Sequence, residues 1–218
     1  TVGDIDGNLA RIRAARERAA AGGADLVVLS ELAVIGYPPE DLVLRPSVVE
    51  ACHAAIDCLV RESRSGPALV ATTPWRDGGR VYNAAIVIDR GTIAPRFKSD
   101  LPNYGVFDEK RVFAPGPMPD PVSFRGVTIG VPVCEDICTP AITQDLARLG
   151  ADFFLLPNVC FPLFPVVDYQ TFIRTYYNED AIRIYQRGID WMFRGITHLI
   201  VYRFLYHYVT ITPADVAN

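Results

Sequence analysis

The sequence predicts an α/β fold, and three observations carry that expectation. Short β-rich runs at 25–29, 68–72 and 127–133 are apolar but for Asp25, Thr72 and Thr128, as strands covered on both faces are. Segments with helical spacing of apolar residues fall between them. The turns Asp89-Arg-Gly91 and Arg125-Gly126 tie further β-rich runs into hairpins, so strands, helices and hairpins interleave as in layered α/β proteins.

Taken in order, Asn8 to Ala21 reads as a helix stopped by Gly22-Gly23. Asp25 to Leu29 is a buried strand running into Ser30-Glu31, and Gly36-Tyr-Pro-Pro39 breaks the chain. Ser47 is expected to cap a second helix reaching about Arg64. Strands follow at Ala68–Thr72 and Val81–Ile88, the latter turning through Asp89-Arg-Gly91 into Thr92–Phe97. Val122–Phe124 and Val127–Val133 form the second hairpin. Pro140 opens a helix to Leu149, and Phe153–Leu156 is the last strand.

Composition narrows the function. The chain has 218 residues, enough for one substantial core, and half are hydrophobic. A formal charge of −4 gives no reason to expect a nucleic-acid partner. Five cysteines without framework spacing suggest a reducing, cytoplasmic setting. Cys134 and Cys138 lack the second pair or His cluster a zinc site needs. Cys52 and Cys58 read as helix packing residues, Cys138 and Cys160 have no assigned role, and His53, His198 and His207 are too scattered to form a site. Beginning at Thr1-Val-Gly-Asp4 with no initiator Met and no leading strand, the chain is expected to start inside a domain.

The chemistry concentrates where strands end. Cys134 follows the run Val127–Val133 and precedes Glu135-Asp136, at the strand end where open α/β sheets place reactive groups. A thiol of ordinary pKa, roughly 8.5, is mostly protonated at neutral pH and needs a base. Glu31, after the first strand, can supply it. A compact ammonium would stabilise the oxyanion formed on carbonyl attack. The only lysines are Lys98 and Lys110, among 21 basic residues (Lys plus Arg), and Lys98 follows the strand Thr92–Phe97. Glu31, Lys98 and Cys134 are a chemically complete set for hydrolysing an amide through a thioester.

Four segments, Gly3-Asp-Ile-Asp-Gly-Asn8, Glu31–Leu42, Lys98–Arg111 and Gly130-Val-Pro-Val-Cys-Glu-Asp136, together resemble the nitrilase (carbon–nitrogen hydrolase) superfamily. Within it, the block Leu101-Pro-Asn-Tyr-Gly-Val-Phe-Asp-Glu109 is most similar to the glutaminase domains of glutamine-dependent NAD synthetases. The resemblance covers residues 1–157 and implies an α-β-β-α sandwich, incomplete at both ends in this chain. It further implies that Glu31 is the general base, Cys134 the nucleophile and Lys98 the oxyanion stabiliser, with Glu109 orienting the cluster. Tyr104, Phe107 and Glu135 would line a glutamine pocket. The glutaminase step would need no cofactor. ATP and nicotinate adenine dinucleotide belong to a synthetase domain that receives the ammonia, and no Ser-Gly-Gly-x-Asp-Ser phosphate loop for it occurs in this chain. A homo-oligomer is expected of the intact family.

Residues 158–218 differ in character, holding more than half of the chain's Phe, Tyr and Trp. Asn158-Val-Cys-Phe-Pro162 replaces the Asn-small-Ser-Pro word expected at this point. Arg183, Arg187, Asp190, Arg194 and His198 share one helical face. The apolar stretch Gly195–Ile211 is interrupted by His198, Arg203 and His207, which weighs against a membrane span while leaving membrane association open. Phe161–Tyr169 and Tyr185–Arg194 are similar to bacterial membrane-bound O-acyltransferase-like proteins. An aromatic-rich helical appendage of uncertain origin is therefore expected over 158–218, joined near Leu155-Leu-Pro-Asn158. The expected function is release of ammonia from glutamine through a cysteine thioester. The alternatives are an amidase acting on another ω-amide, or an inactive fragment fused to a membrane O-acyltransferase-like segment.

Overall fold

The computed structural model describes residues 1–104 and 107–158. The expectations for the segment after Asn158, including its helix, Cys160 and membrane association, lie outside the described residues.

Two sheets pack face to face between layers of helix. The first has the order β1-β2-β3-β4: Leu26–Val28, Ala68–Asp77, Arg80–Asp89 and Thr92–Phe97. β1 runs parallel to β2, and the other pairs are antiparallel. The second has the order β5-β6-β7: Val122–Phe124, Val127–Gly130 and Phe153–Phe154. Side chains alternate across the first sheet with the period of two that the pleat imposes. Leu69, Ala71, Ala84, Ile86 and Ile88 pack with Leu9 and Ile12 of α1 (Ile5–Ala21) and with Cys52, Ile56 and Leu59 of α2 (Pro46–Glu62). Ala68, Val70, Ala85 and Val87, on the opposite face, meet Val122, Phe124, Ile129, Val131 and Val133. Both faces are therefore dry, which explains strands with no polar alternation. The short helix α4 (Pro140–Arg148) buries Ile142 and Leu146 over the second sheet. Gly130 leaves room for the ring of Phe154, its pairing partner in β7, since a Cβ there would stand 2.5 Å from that ring.

Three hairpins close through two-residue turns whose central residues both have positive φ: Gly78-Gly79, Arg90-Gly91 and Arg125-Gly126. These are the twist-matched turns that hold a β-ribbon in register.

Several boundaries differ from expectation. β2 and β3 are ten residues each, longer than their apolar cores, because the ladder continues through Trp75↔Tyr82 to Asp77↔Arg80. α2 begins at Pro46, and Arg45 is its cap without a side-chain bond, so Ser47 lies inside the first turn and does not cap. Proline's fixed φ and missing N–H suit the first helical position. β6 stops at Gly130 and not Val133, because Pro132 has no N–H for the ladder. Cys134 and Glu31 therefore lie a few residues beyond their strands. Only Lys98 follows its strand directly.

Candidate active site

The loop that carries Glu31 is held by Thr72 of β2. The Thr72 hydroxyl donates to the Ser30 carbonyl and accepts the Ala33 N–H at 2.8 Å, and the Thr72 carbonyl accepts the Val34 N–H at 3.1 Å. Leu32, fully buried, sits at φ 51°, a left-handed bend rare for a branched residue. Anchor and bend together turn Glu31 inward until only 1% of it is exposed.

There it meets Lys98, which is 0% exposed. Lys98 Nζ donates to Glu31 Oε1 at 2.7 Å and to Glu109 Oε1 at 2.9 Å. Glu109 arrives on the single-turn helix α3 (Glu109–Val112), its N–H bonded to the Pro102 carbonyl at 3.2 Å. The Lys98 main chain is fixed on both sides: its N–H donates to the Asn83 carbonyl and its carbonyl accepts the Gly116 N–H, each at 2.8 Å. A lysine that alone would be read as a surface residue is the largest fully buried side chain described.

Electrostatics follow from the burial. Loss of water works against the Lys98 ammonium, yet Glu31 and Glu109 outweigh it and hold its pKa above the usual lysine value. Burial, reinforced by Glu31, raises Glu109 against the pull of Lys98 and Asn83. The two carboxylates are bonded differently. Glu109 uses both oxygens, one on Lys98 and one on Asn83. Glu31 places Oε1 on both Lys98 and Asn83, and Oε2, buried, has no partner among the described residues. An unpaired buried acceptor costs about 1–3 kcal/mol, so a free carboxylate oxygen is a retained feature, available to take a proton.

Cys134 opens a 3-10 turn, Cys134–Cys138, at φ 48°. Non-glycine residues in this region are strained, and such strain concentrates at functional positions. Its N–H donates to the Pro157 carbonyl at 2.9 Å, and its half-buried Sγ lies 3.4 Å from Asn158 Oδ1. The turn is tied to the lysine segment by Asp136. Asp136 Oδ1 accepts the N–H groups of Ser99 (3.0 Å) and Asp100 (2.8 Å), and Oδ2 accepts that of Val133 (3.0 Å). Burial pushes the Asp136 carboxyl up to about 6, against the downward pull of those three N–H bonds and of Lys98. The residues before Cys134 and after Lys98 thus hang on one side chain.

The expected pocket residues divide. Tyr104, 57% exposed, donates its hydroxyl to the Glu135 carboxylate, 2.9 Å from each oxygen. That bond and the Glu135 charge raise the phenol's pKa. Phe107 meets Tyr104 edge to face, with centroids 5.8 Å apart. Phe107 and Glu109 also line a cavity of about 270 Å³ with Leu32, Tyr37 and Arg111; Tyr104, Glu135 and Cys134 are not among its walls. Among the described residues no cluster suits a metal ion.

Two residues of this site had no expected role. Asn83 is an isolated amide at the head of an apolar strand run, a signal for a buried polar partner. Asp136 stands beside Cys134 as a second carboxylate, but two of its three N–H partners, Ser99 and Asp100, are distant in sequence.

A buried Glu–Lys–Glu cluster and a cysteine at a strained turn, on two stacked sheets, define a hydrolase class, and comparison names the family. The chain belongs to the carbon–nitrogen hydrolase family, whose model matches residues 1–170. It is 40% identical over 159 residues to the glutamine-dependent NAD(+) synthetase of Rhodobacter capsulatus, covering 72% of this chain and 29% of that protein. The structure of glutamine-dependent NAD+ synthetase from Acinetobacter baumannii superposes with a TM-score of 0.69 at 35% identity, over 72% of this chain and 30% of that one. A mutant of the amidase from Nesterenkonia sp. AN1, with acrylamide added to its active-site cysteine, superposes with a TM-score of 0.63 at 29% identity, over 72% and 62% of the two chains. The chain thus spans under a third of the length of the synthetases it matches.

Proposed function

We propose that this chain hydrolyses the side-chain amide of glutamine to glutamate and ammonia through a thioester on Cys134. Glu31 Oε2 takes the thiol proton as sulfur attacks the amide carbon. The Lys98 ammonium stabilises the oxyanion of the tetrahedral intermediate. Glu31 returns the proton to the departing nitrogen, the C–N bond breaks and ammonia leaves. Glu31 then deprotonates a water that cleaves the thioester, restoring Cys134. Glu109 orients Lys98 throughout. Tyr104, Phe107 and Glu135 hold the amino-acid end of the substrate.

The observation that carries this reading is the unequal bonding of the two glutamates. Glu109 has both oxygens bonded, which suits an orienting role, whereas Glu31 keeps one oxygen without a partner among the described residues. The step uses no cofactor. The similarity to NAD synthetases supports delivery of the ammonia to a synthetase domain that consumes ATP and a nicotinate adenine dinucleotide. This reading further takes the intact protein as a homo-oligomer in the cytoplasm, with residues 1–157 as the hydrolase unit and 158–218 as an appendage. Among the described residues no helix is long and apolar enough to cross a membrane.

Incubation of the full chain with a diazo-oxo-norleucine-type glutamine analogue, followed by peptide mass spectrometry, tests the reading. A single adduct on Cys134, lost in Cys134→Ala, is expected; labelling elsewhere, or labelling that survives the substitution, counts against it. The likeness to the Nesterenkonia amidase favours a second reading, another ω-amide as substrate. A panel of ω-amides separates the two, and glutamine is expected to be turned over fastest.

A further inference from the structure

Asn83 touches three members of the cluster at once. Its main-chain carbonyl accepts the Lys98 N–H at 2.8 Å. Its side-chain Nδ2 donates to Glu31 Oε1 at 2.8 Å and to Glu109 Oε2 at 3.4 Å. The residue is fully buried, and its Oδ1 has no partner among the described residues. Among the described residues the Asn83 side chain makes its bonds through the nitrogen and none through the carbonyl oxygen. The amide is held there for its nitrogen.

We propose that Asn83 is a positioning residue that keeps Glu31 ionised and presents its Oε2 as the proton-accepting atom. The difficulty it resolves is electrostatic. Two carboxylates face one ammonium, and like charges this close favour uptake of a proton by one of them. If Glu31 took that proton it would be no base. A neutral donor shared between the carboxylates stabilises both in their charged form without adding charge. Because Nδ2 and Nζ both bond Oε1, they also fix the carboxylate's rotation and leave Oε2 over. The charged groups around the pair are Lys98 after β4, Glu31 after β1 and Glu109 on α3, and Lys98 also acts on Asp136 in the turn that Cys134 opens. The inference rests on Glu31 as the base, but not on glutamine as the substrate.

The test compares the full chain with Asn83→Leu, which keeps bulk and removes the donor. Infrared titration of protonated carboxyl groups reads the cluster directly. The cost of one lost hydrogen bond to a charged group corresponds to an upward shift of about one pH unit, roughly tenfold in proton affinity. The protonated band is expected at that higher pH in Asn83→Leu and is expected to lose the intensity of one carboxyl group in Asn83→Leu/Glu31→Gln. The acid limb of Cys134 labelling by the glutamine analogue should move by the same amount. Asn83→Ala, which also removes the donor, should shift both in the same direction and decides the matter if the leucine variant does not melt cooperatively. Titration unchanged in variants of altered melting temperature would reduce Asn83 to a structural residue and overturn the proposal. So would a shifted band whose intensity is unchanged by adding Glu31→Gln. If no variant reacts with glutamine or its analogue, the substrate reading fails while the infrared titration still decides the role of Asn83.

Discussion

Two ionic clusters in this protein have nearly the same chemistry and opposite meanings. In one, Lys98 bridges Glu31 and Glu109 with almost no exposure. In the other, Arg111 bridges Asp41 and Asp108 with 46% of its side chain in solvent. Distances do not separate them, since both contain contacts of 2.7 Å. Burial does. In water the arginine pairs trade one set of hydrogen bonds for another and are screened. In the core, each charge of the lysine cluster exists only because the others do. A cation buried between two acids weakly serves stability and strongly serves a reaction that needs fixed charge at one point.

The largest effect should therefore follow loss of the buried cation. Lys98→Met leaves two carboxylates facing each other in the core, and breaking a buried pair costs about 3–5 kcal/mol. Urea denaturation should report that loss, and Cys134 should no longer react with the glutamine analogue. Adding Glu31→Gln removes one of the stranded charges. The double variant should regain stability relative to Lys98→Met while remaining unreactive. Recovered reactivity in the double variant would show that the cluster is structural.

A smaller effect is expected at Asp136, where burial competes with hydrogen bonding. Its folded-state pKa, about 6, lies above the value of roughly 3.9 for an unfolded Asp. Between those values the folded chain holds a proton that the unfolded chain has lost, so this group's contribution to stability falls as pH rises from 4 to 7. Asp136→Asn cannot titrate. Lowering the pH from 7 to 5 should favour wild type over the variant by about 1 kcal/mol, read from urea midpoints at the two values. The variant should also label Cys134 more slowly at both pH values, because one carboxamide oxygen cannot bind the N–H groups of Ser99, Asp100 and Val133 together. A difference in stability independent of pH would place the Asp136 titration outside this window.

What could be read in advance divides along the same line as the two clusters. Local signals were legible. The turns Asp89-Arg-Gly91 and Arg125-Gly126, the stop at Gly22-Gly23 and the helix from Pro140 depend on residues adjacent in sequence, and the structure keeps them. The words around Glu31, Lys98 and Cys134 also marked reactive positions, since Glu-Leu-Ala and Cys-Glu-Asp are recognisable strings. Legibility ended where a property depends on partners far along the chain. Nothing near Lys98 announces that it is dry, because Glu31 lies 67 positions before it. Asn83 looks like an ordinary interruption of a strand until Glu31 and Glu109 converge on it. The strand ends moved for a plainer reason: Pro132 removes a ladder donor, and the apolar pattern continues past the last hydrogen bond.

The smallest effect should come from the exposed cluster, and it sharpens the comparison most. Arg111→Ala removes contacts to Asp41 and Asp108 that are as short as those of Lys98. Because the solvent replaces them, the melting temperature should move by less than about 2 °C. Arg111 also walls the cavity beside Phe107 and Glu109, so its removal widens that space without touching the Glu31–Lys98–Glu109 bonds. Labelling of Cys134 should keep its wild-type pH dependence, while the analogue concentration giving half-maximal rate is free to change. A shift of the pH profile in Arg111→Ala would mean that its charge reaches the buried carboxylates through the cavity, and the line drawn between the two clusters would fail.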